Sequence, residues 1–191
     1  MKYKKTETGI DGLIVIEPQA FGDKRGFFME TYTKKDFVEL EIPDEFVQDN
    51  HSKSKKAVLR GLHFQTRHVQ GKLVRVIAGR AIDVAVDLRH GSGTFGKYHK
   101  IELTAEDGKM LYLPKGFAHG FLALEDDTEF LYKCTDYYAP EYDSGILWND
   151  PDLAIQWEFE NYGLQRADII LSEKDKTQQT LRAFIASGIR L

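Results

Sequence analysis

"GKMLYLPKGFAH", residues 108–119, is the stretch on which the fold turns. Asp107-Gly108 is a turn signal, and KMLYLP (109–114) after it is a short apolar run of strand length. Pro114 and Gly116 bend the next loop, and His119 then points inward from a second strand candidate, HGFLALE (119–125). Similar runs lie upstream: LIVIEP (13–18), FFMETY (27–32), FVQDN (46–50), AVLRGLHF (57–64), KLVRVIAG (72–79), RAIDVAVDL (80–88) and KYHKIELT (97–104). TEFLYKCTDYY (128–138) follows. Turn residues separate them, at Gly22-Asp23, Gly71, Gly79, His90–Gly93 and Asp126-Asp127. Many short strands at regular spacing mean a sandwich or barrel.

Helix is scarce. TKKDFVELE (33–41) is one short candidate. TQQTLRAFIAS (177–187) is the other, with Leu181, Phe184 and Ile185 on one face, Thr177 as cap and Gly188 as stop. Residues 140–175 are irregular, and such a tail packs over a barrel and brings residues to its mouth. The expectation is one all-β domain over 1–191 with short peripheral helices and a C-terminal helix.

Composition narrows the function classes. The 191 residues are 42% hydrophobic, enough for a packed core. Net charge is -4 with both signs interspersed, which argues against a nucleic-acid partner. The longest apolar region, LVRVIAGRAIDVAVDL, is cut by Arg75, Arg80, Asp83 and Asp87, so no membrane span is expected. MKYKKTETGIDG lacks the apolar core of a signal peptide, and Cys134 is the sole cysteine. Both suit a protein of the reducing cytoplasm.

The spacing in 108–119 (Gly, five residues, Pro, one residue, Gly, two residues, His) resembles the second motif of the cupin superfamily of small jelly-roll barrels. Cupins often hold a metal through a His-x-His pair, a downstream Glu and the motif histidine. Here the pair reads His63-Phe64-Gln65, and Lys72 brings a positive charge near the expected Glu. Two histidines and a lysine do not make a divalent-metal set, so no metal and no cofactor is expected. The chemistry must come from side chains.

His63, His119, Lys72 and Tyr132 are the polar groups that strand alternation sends towards the barrel interior or mouth. A neutral imidazole can take a proton from carbon beside a carbonyl. The Lys72 ammonium, with His119, can stabilise the enolate oxygen. A phenol on the other side, Tyr132, can return a proton there and invert the centre.

FVQDNHSKSKKAVLRGLHFQ, QGKLVRVIAG, DVAVDLR, PKGFAHGF, YKCTDYY and WNDP resemble the dTDP-4-dehydrorhamnose 3,5-epimerase family from about Ile14 to Asp175. The resemblance implies a substrate, dTDP-4-keto-6-deoxy-glucose, whose ketone acidifies the hydrogens at carbons 3 and 5. It implies His63 as base, Asp175 as its orienting acid, Tyr132 as general acid and Lys72 facing the enolate. It implies binding roles for Arg25, Glu30, Gln48, Asp49, Asn50, Arg60, His119, Asp143 and Lys174, and for Tyr138 as a stack for thymine. It also implies a homodimer whose N-terminal strands join the partner's sheet. A relative that inverts one centre or moves the ketone, and a non-enzymatic sugar-nucleotide-binding cupin, are the rival readings. Strict alternation puts Arg60 and His63 on opposite faces, so a twist or bulge must aim both at one site.

Overall fold

The computed structural model describes residues 2–191. The chain opens with β1 (Tyr3–Glu7), β2 (Ile14–Pro18), β3 (Ala20–Asp23), β4 (Gly26–Met29) and α1 (Lys34–Glu39). Then come β5 (Gln48–Ser54), β6 (Leu59–Gln65), β7 (Lys72–Ala78), β8 (Arg80–Asp87) and β9 (Tyr98–Thr104). The strands β10 (Met110–Leu113), β11 (Phe117–Ala123), β12 (Thr128–Cys134) and β13 (Asp143–Gly145) follow, and α2 (Glu173–Lys176) and α3 (Leu181–Ala186) end the chain. One sheet has the order β1-β2-β10-β7-β12-β5, the other β13-β6-β11-β8-β9, and β3-β4 stands apart as a hairpin.

The two large sheets face each other as a jelly-roll sandwich. Between them lie Val74 and Val76 from β7, Phe130 from β12, Ala85 from β8, and Phe117 and Phe121 from β11. The outer face of the five-stranded sheet is covered too. Ile82, Val84 and Val86 of β8 pack there against Trp148, Trp157, Leu164, Leu181 and Phe184 of the C-terminal tail. Burial on both faces explains why β8 and β11 read as nearly continuous apolar runs rather than alternating ones. The six-stranded sheet is covered outside by Phe37 of α1 and Ile42. The opening stretch is where the chain changes sheet: β10 belongs to the first and β11 to the second, with Pro114 to Gly116 as the crossing. Gly116 takes φ +91°, and a Cβ there would lie 2.5 Å from Arg89 Cγ.

Two expectations about the C-terminal helix need correction. That helix, α3, starts later, because Thr180 and not Thr177 caps it, accepting from Ala183 N. Thr177 instead ends α2, and Ile185 is exposed. The charged β1 was unreadable from its sequence: Lys4, Thr6 and Glu7 keep it from looking like a strand, yet Tyr3 to Glu7 pair residue by residue with β2. Within the chain, therefore, β1 and β2 complete its own six-stranded sheet.

Asp87 secures the loop between β8 and β9. Its Oδ1 accepts from Arg89 N and Nε, and its Oδ2 from Arg89 Nη2, Ser92 Oγ and Thr94 Oγ1. Burial pushes this carboxyl up, but those hydrogen bonds outweigh it and hold the group at about 2. A depressed pKa adds stability above the unfolded value near 4 that is lost as pH falls towards 2. Asp87→Asn should cost about 2 kcal/mol at pH 7 by urea denaturation, and the gap to wild type should shrink below pH 4. A gap of equal size at pH 7 and pH 3 would refute the charge argument.

Candidate active site

A cavity of about 460 Å³ opens between the sheets, and most of the expected residues line it. His63 and Arg60 both do, from β6. The strand bulges to allow it. His119 pairs with His63, but Phe121 pairs with Arg60, so β6 carries one residue more than β11 between those points. Gly61 (φ +132°) sits at the bulge, where a Cβ would meet Gly120 Cα at 2.5 Å. Two glycines pressed together let the strand twist and turn Arg60 and His63 to one side.

Asp175 reaches this wall from far along the chain. Residue 170 is bound beside the start of β6, with Ile170 N donating to Ala57 O and Leu59 N to Ile170 O. That contact brings α2 over the cavity. Ser172 caps α2: its Oγ accepts from Asp175 N at 3.1 Å and donates to Asp175 Oδ2 at 2.7 Å. Asp175 Oδ1 then bonds His63 Nε2 at 2.5 Å. Burial pushes the Asp175 carboxyl up, and the bonds from His63 and Ser172 bring it below its ordinary value. An ionised Asp175 accepts from Nε2–H, which leaves Nδ1 as the basic nitrogen of His63.

The opposite wall belongs to the six-stranded sheet. Tyr132 of β12 and Lys72 of β7 line it, with the Lys72 Nζ 6.0 Å from the Tyr132 ring centre. Burial raises the Tyr132 phenol above its ordinary pKa, so it stays protonated. Burial also lowers the Lys72 ammonium, while Cys134, Asp83 and Asp143 pull it back up. An imidazole with its carboxylate on one wall thus faces a phenol and an amine on the other.

Gln48 and Asn50 line the cavity from β5, as do Tyr138, Asp143 and Lys174 at its mouth. Tyr138 is 54% exposed, its hydroxyl donating to Asp143 Oδ2 and its N–H to Gln48 Oε1. Lys174 pairs with Asp143.

Three expected binding residues lie elsewhere. Asp49 alternates to the outer face of β5, where it accepts from Lys133 Nζ at 2.9 Å. Arg25, on the β3–β4 hairpin, is exposed and grips Asp23 of the same turn. Glu30, just after that hairpin, accepts from Lys2 Nζ at 3.1 Å and from Thr33. None of the three reaches this chain's cavity.

Sequence reasoning passed over Ser172, although Ser-x-x-Asp is a helix-start pattern. It used Asp83 only to interrupt an apolar run, yet a fully buried aspartate needs a partner. That partner is His119, whose Nε2 lies 2.8 Å from Asp83 Oδ2. Gln65, read as a lost metal ligand, ties down the loops around it, accepting from Ala139 N and donating to His68 O and Tyr137 O. Among the described residues no group of three or more His, Cys, Asp or Glu could hold a metal ion.

Comparison with known proteins fits this geometry. The family model for dTDP-4-dehydrorhamnose 3,5-epimerase matches residues 7–183. An enzyme of that name from Methanothermobacter thermautotrophicus is 50% identical over 181 residues, spanning 95% of this chain and 96% of the relative. The crystal structure of a dTDP-6-deoxy-D-glucose-3,5-epimerase from Legionella pneumophila, in complex with dTDP-4-keto-L-rhamnose, superposes with a TM-score of 0.91 at 46% identity, covering 98% of this chain and 97% of that one. A 3'-monoepimerase from Streptomyces bikiniensis, in complex with dTDP-quinovose, gives 0.85 at 30% identity, covering 95% and 90%. A part-buried imidazole held by a buried carboxylate and facing a phenol inside a jelly roll, with a family match over nearly its whole length, leaves one assignment: the chain belongs to the dTDP-4-dehydrorhamnose 3,5-epimerase family.

Proposed function

We propose that this protein inverts carbons 3 and 5 of dTDP-4-keto-6-deoxy-D-glucose, giving dTDP-4-keto-L-rhamnose for dTDP-L-rhamnose synthesis. The observation that carries the reading is the His63–Asp175 pair on one wall with Tyr132 and Lys72 on the other. His63 Nδ1 takes the proton from carbon, and the electron pair moves onto the carbon-4 oxygen as an enolate. Asp175 stabilises the imidazolium so formed, as a carboxylate does for a catalytic histidine. Lys72 and His119 face the enolate, whose charge favours the Lys72 ammonium that burial alone disfavours. Tyr132 gives its hydroxyl proton to the opposite face of the carbon. Solvent then reprotonates the phenolate and accepts the proton from His63. The same cycle serves the second centre because both carbons flank one ketone.

Arg60, with Lys174 at the mouth, suits the diphosphate, since a guanidinium fork matches phosphate oxygens. The exposed Tyr138 ring suits the thymine. Tyr138→Ala should weaken dTDP binding by about 1–3 kcal/mol in calorimetry, the scale of base–aromatic stacking. Unchanged affinity would remove the stacking role.

The reading includes a homodimer. Its support is the β3–β4 hairpin, where Phe21, Phe27 and Phe28 are 56%, 66% and 71% exposed around Arg25. Apolar surface of that kind on a free-standing hairpin is suited to a partner subunit, whose cavity Arg25 and Glu30 would then serve. Light scattering should give twice the 21.9 kDa chain mass; a monomer would leave Arg25 with no site. Residence in the cytoplasm belongs to the same reading, supported by a lone buried thiol, Cys134.

Incubation with the 4-keto sugar in D₂O containing EDTA, followed by NMR, tests the function. Deuterium at carbons 3 and 5 with the L-rhamno product is expected. Label at one centre would favour the single-inversion reading, which the likeness to the Streptomyces bikiniensis enzyme supports. No label at either would make the protein a binding module, and activity lost to EDTA would demand a metal.

A further inference from the structure

Two buried polar atoms deep in the barrel have no hydrogen-bond partner, and they lie on neighbouring strands: Asp83 Oδ1 on β8 and His99 Nε2 on β9. The registers explain their nearness. His63 pairs with His119, His119 with Ala85, and Ala85 with His99, so three histidines stand in one row across the inner face of the five-stranded sheet. Ala85 is the small member of that row, and it leaves space between the second and third rings. Asp83, two residues along β8 on the same face, is the diagonal neighbour of His99, within reach for long side chains. Its Oδ2 is already held by His119 Nε2 at 2.8 Å. A fully buried carboxylate seldom leaves an oxygen unused, nor a buried ring its nitrogen. The two orphaned atoms suit one another, directly or through one bridging water.

We propose that His99, acting through Asp83, sets the orientation and charge of His119, so that an imidazole–carboxylate–imidazole chain backs the cavity. His99 is a positioning residue: it does not line the cavity, whereas His119 does. A neutral His99 with its proton on Nε2 donates to Asp83 Oδ1, which holds the carboxylate with Oδ2 aimed at His119. Burial lowers the pKa of His99 and the Asp83 charge opposes this, so the neutral ring is the resting form at neutral pH. Other charges around His99 are accounted for. Asp87, further along β8, is taken up by Arg89, Ser92 and Thr94. Strand β7, packed against β9 across the barrel, brings Lys72 inward beside Val74 and Val76. Against that cation, a second protonated imidazole behind His119 would be unfavourable.

The inference rests on the epimerase reading only for its rate measurement. In wild-type protein, nitrogen NMR of the histidine rings should show His99 with its proton on Nε2. Asp83→Asn should shift the ring signals of both His99 and His119. If only His119 responds, or if His99 carries its proton on Nδ1, the chain does not exist, whatever the protein catalyses. The second arm is kinetic. His99→Phe keeps the ring volume and removes both nitrogens; it should lower kcat about tenfold, as losing a group that orients a working histidine does. It should also displace the pH profile of kcat while leaving dTDP affinity unchanged. His99→Gln restores a nitrogen donor at the Nε2 position and should recover rate and profile together. A wild-type rate and profile in His99→Phe, or no recovery in His99→Gln, would overturn the proposal.

Discussion

His63→Asn should stop deuterium entry at both carbon 3 and carbon 5, with a loss of about 10²–10⁴-fold or more, the contribution of a placed general base. Both centres fail together because one cavity holds the base, paired through Nε2 with the buried Asp175. The asparagine amide can still donate to Asp175, so the carboxylate is not left buried without a partner. Nucleotide binding should stay near wild type, because Tyr138, Gln48 and Lys174 lie at other points of the cavity. The measurement is an NMR time course in D₂O, with calorimetry on dTDP to show that the site is intact. Exchange at the wild-type rate would mean that the base lies elsewhere.

Tyr132→Phe should separate two events that the wild-type enzyme couples. The variant removes one hydroxyl and leaves the ring packed, so the fold should change little. His63 can still take a proton and return a deuteron to the same face. Without the phenol on the opposite wall, inversion should fall far behind exchange. The raised pKa of Tyr132 keeps the donor protonated beyond the ordinary tyrosine value near 10, so loss of the phenolic proton should not limit inversion below that pH. One time course reading both label and product configuration decides it. If inversion keeps pace with exchange in Tyr132→Phe, another donor serves that face.

Much of this was legible in the chain. Strand spacing and turn residues foretold an all-β sandwich, because short apolar runs of period two can be buried in few other ways. The 108–119 stretch announced a bend at Pro114 and Gly116, and that bend is where the chain passes from one sheet to the other. The RGLHFQ segment carried a conflict of its own, with Arg60 and His63 on opposite faces of an ideal strand, and that conflict foretold the bulge. Alternation foretold that Tyr132 and Lys72 face the cavity, while the roles expected of them came from the resemblance.

Long-range placement was another matter. Nothing local in LSEKD says that its aspartate will meet a histidine 112 positions earlier; the pinning of residue 170 against β6 decides that. Nor does alternation reveal that Asp83 answers His119, or that His99 stands in the same row, because strand register is set by which strands pair across the whole sheet. The charged β1 became a strand only because β2 offered it an edge. Arg25 and Glu30, drawn to the site by resemblance, stand apart from it because the β3–β4 hairpin belongs to neither large sheet. Local pattern reports which way a side chain points along its own strand; only the closed barrel determines what stands opposite.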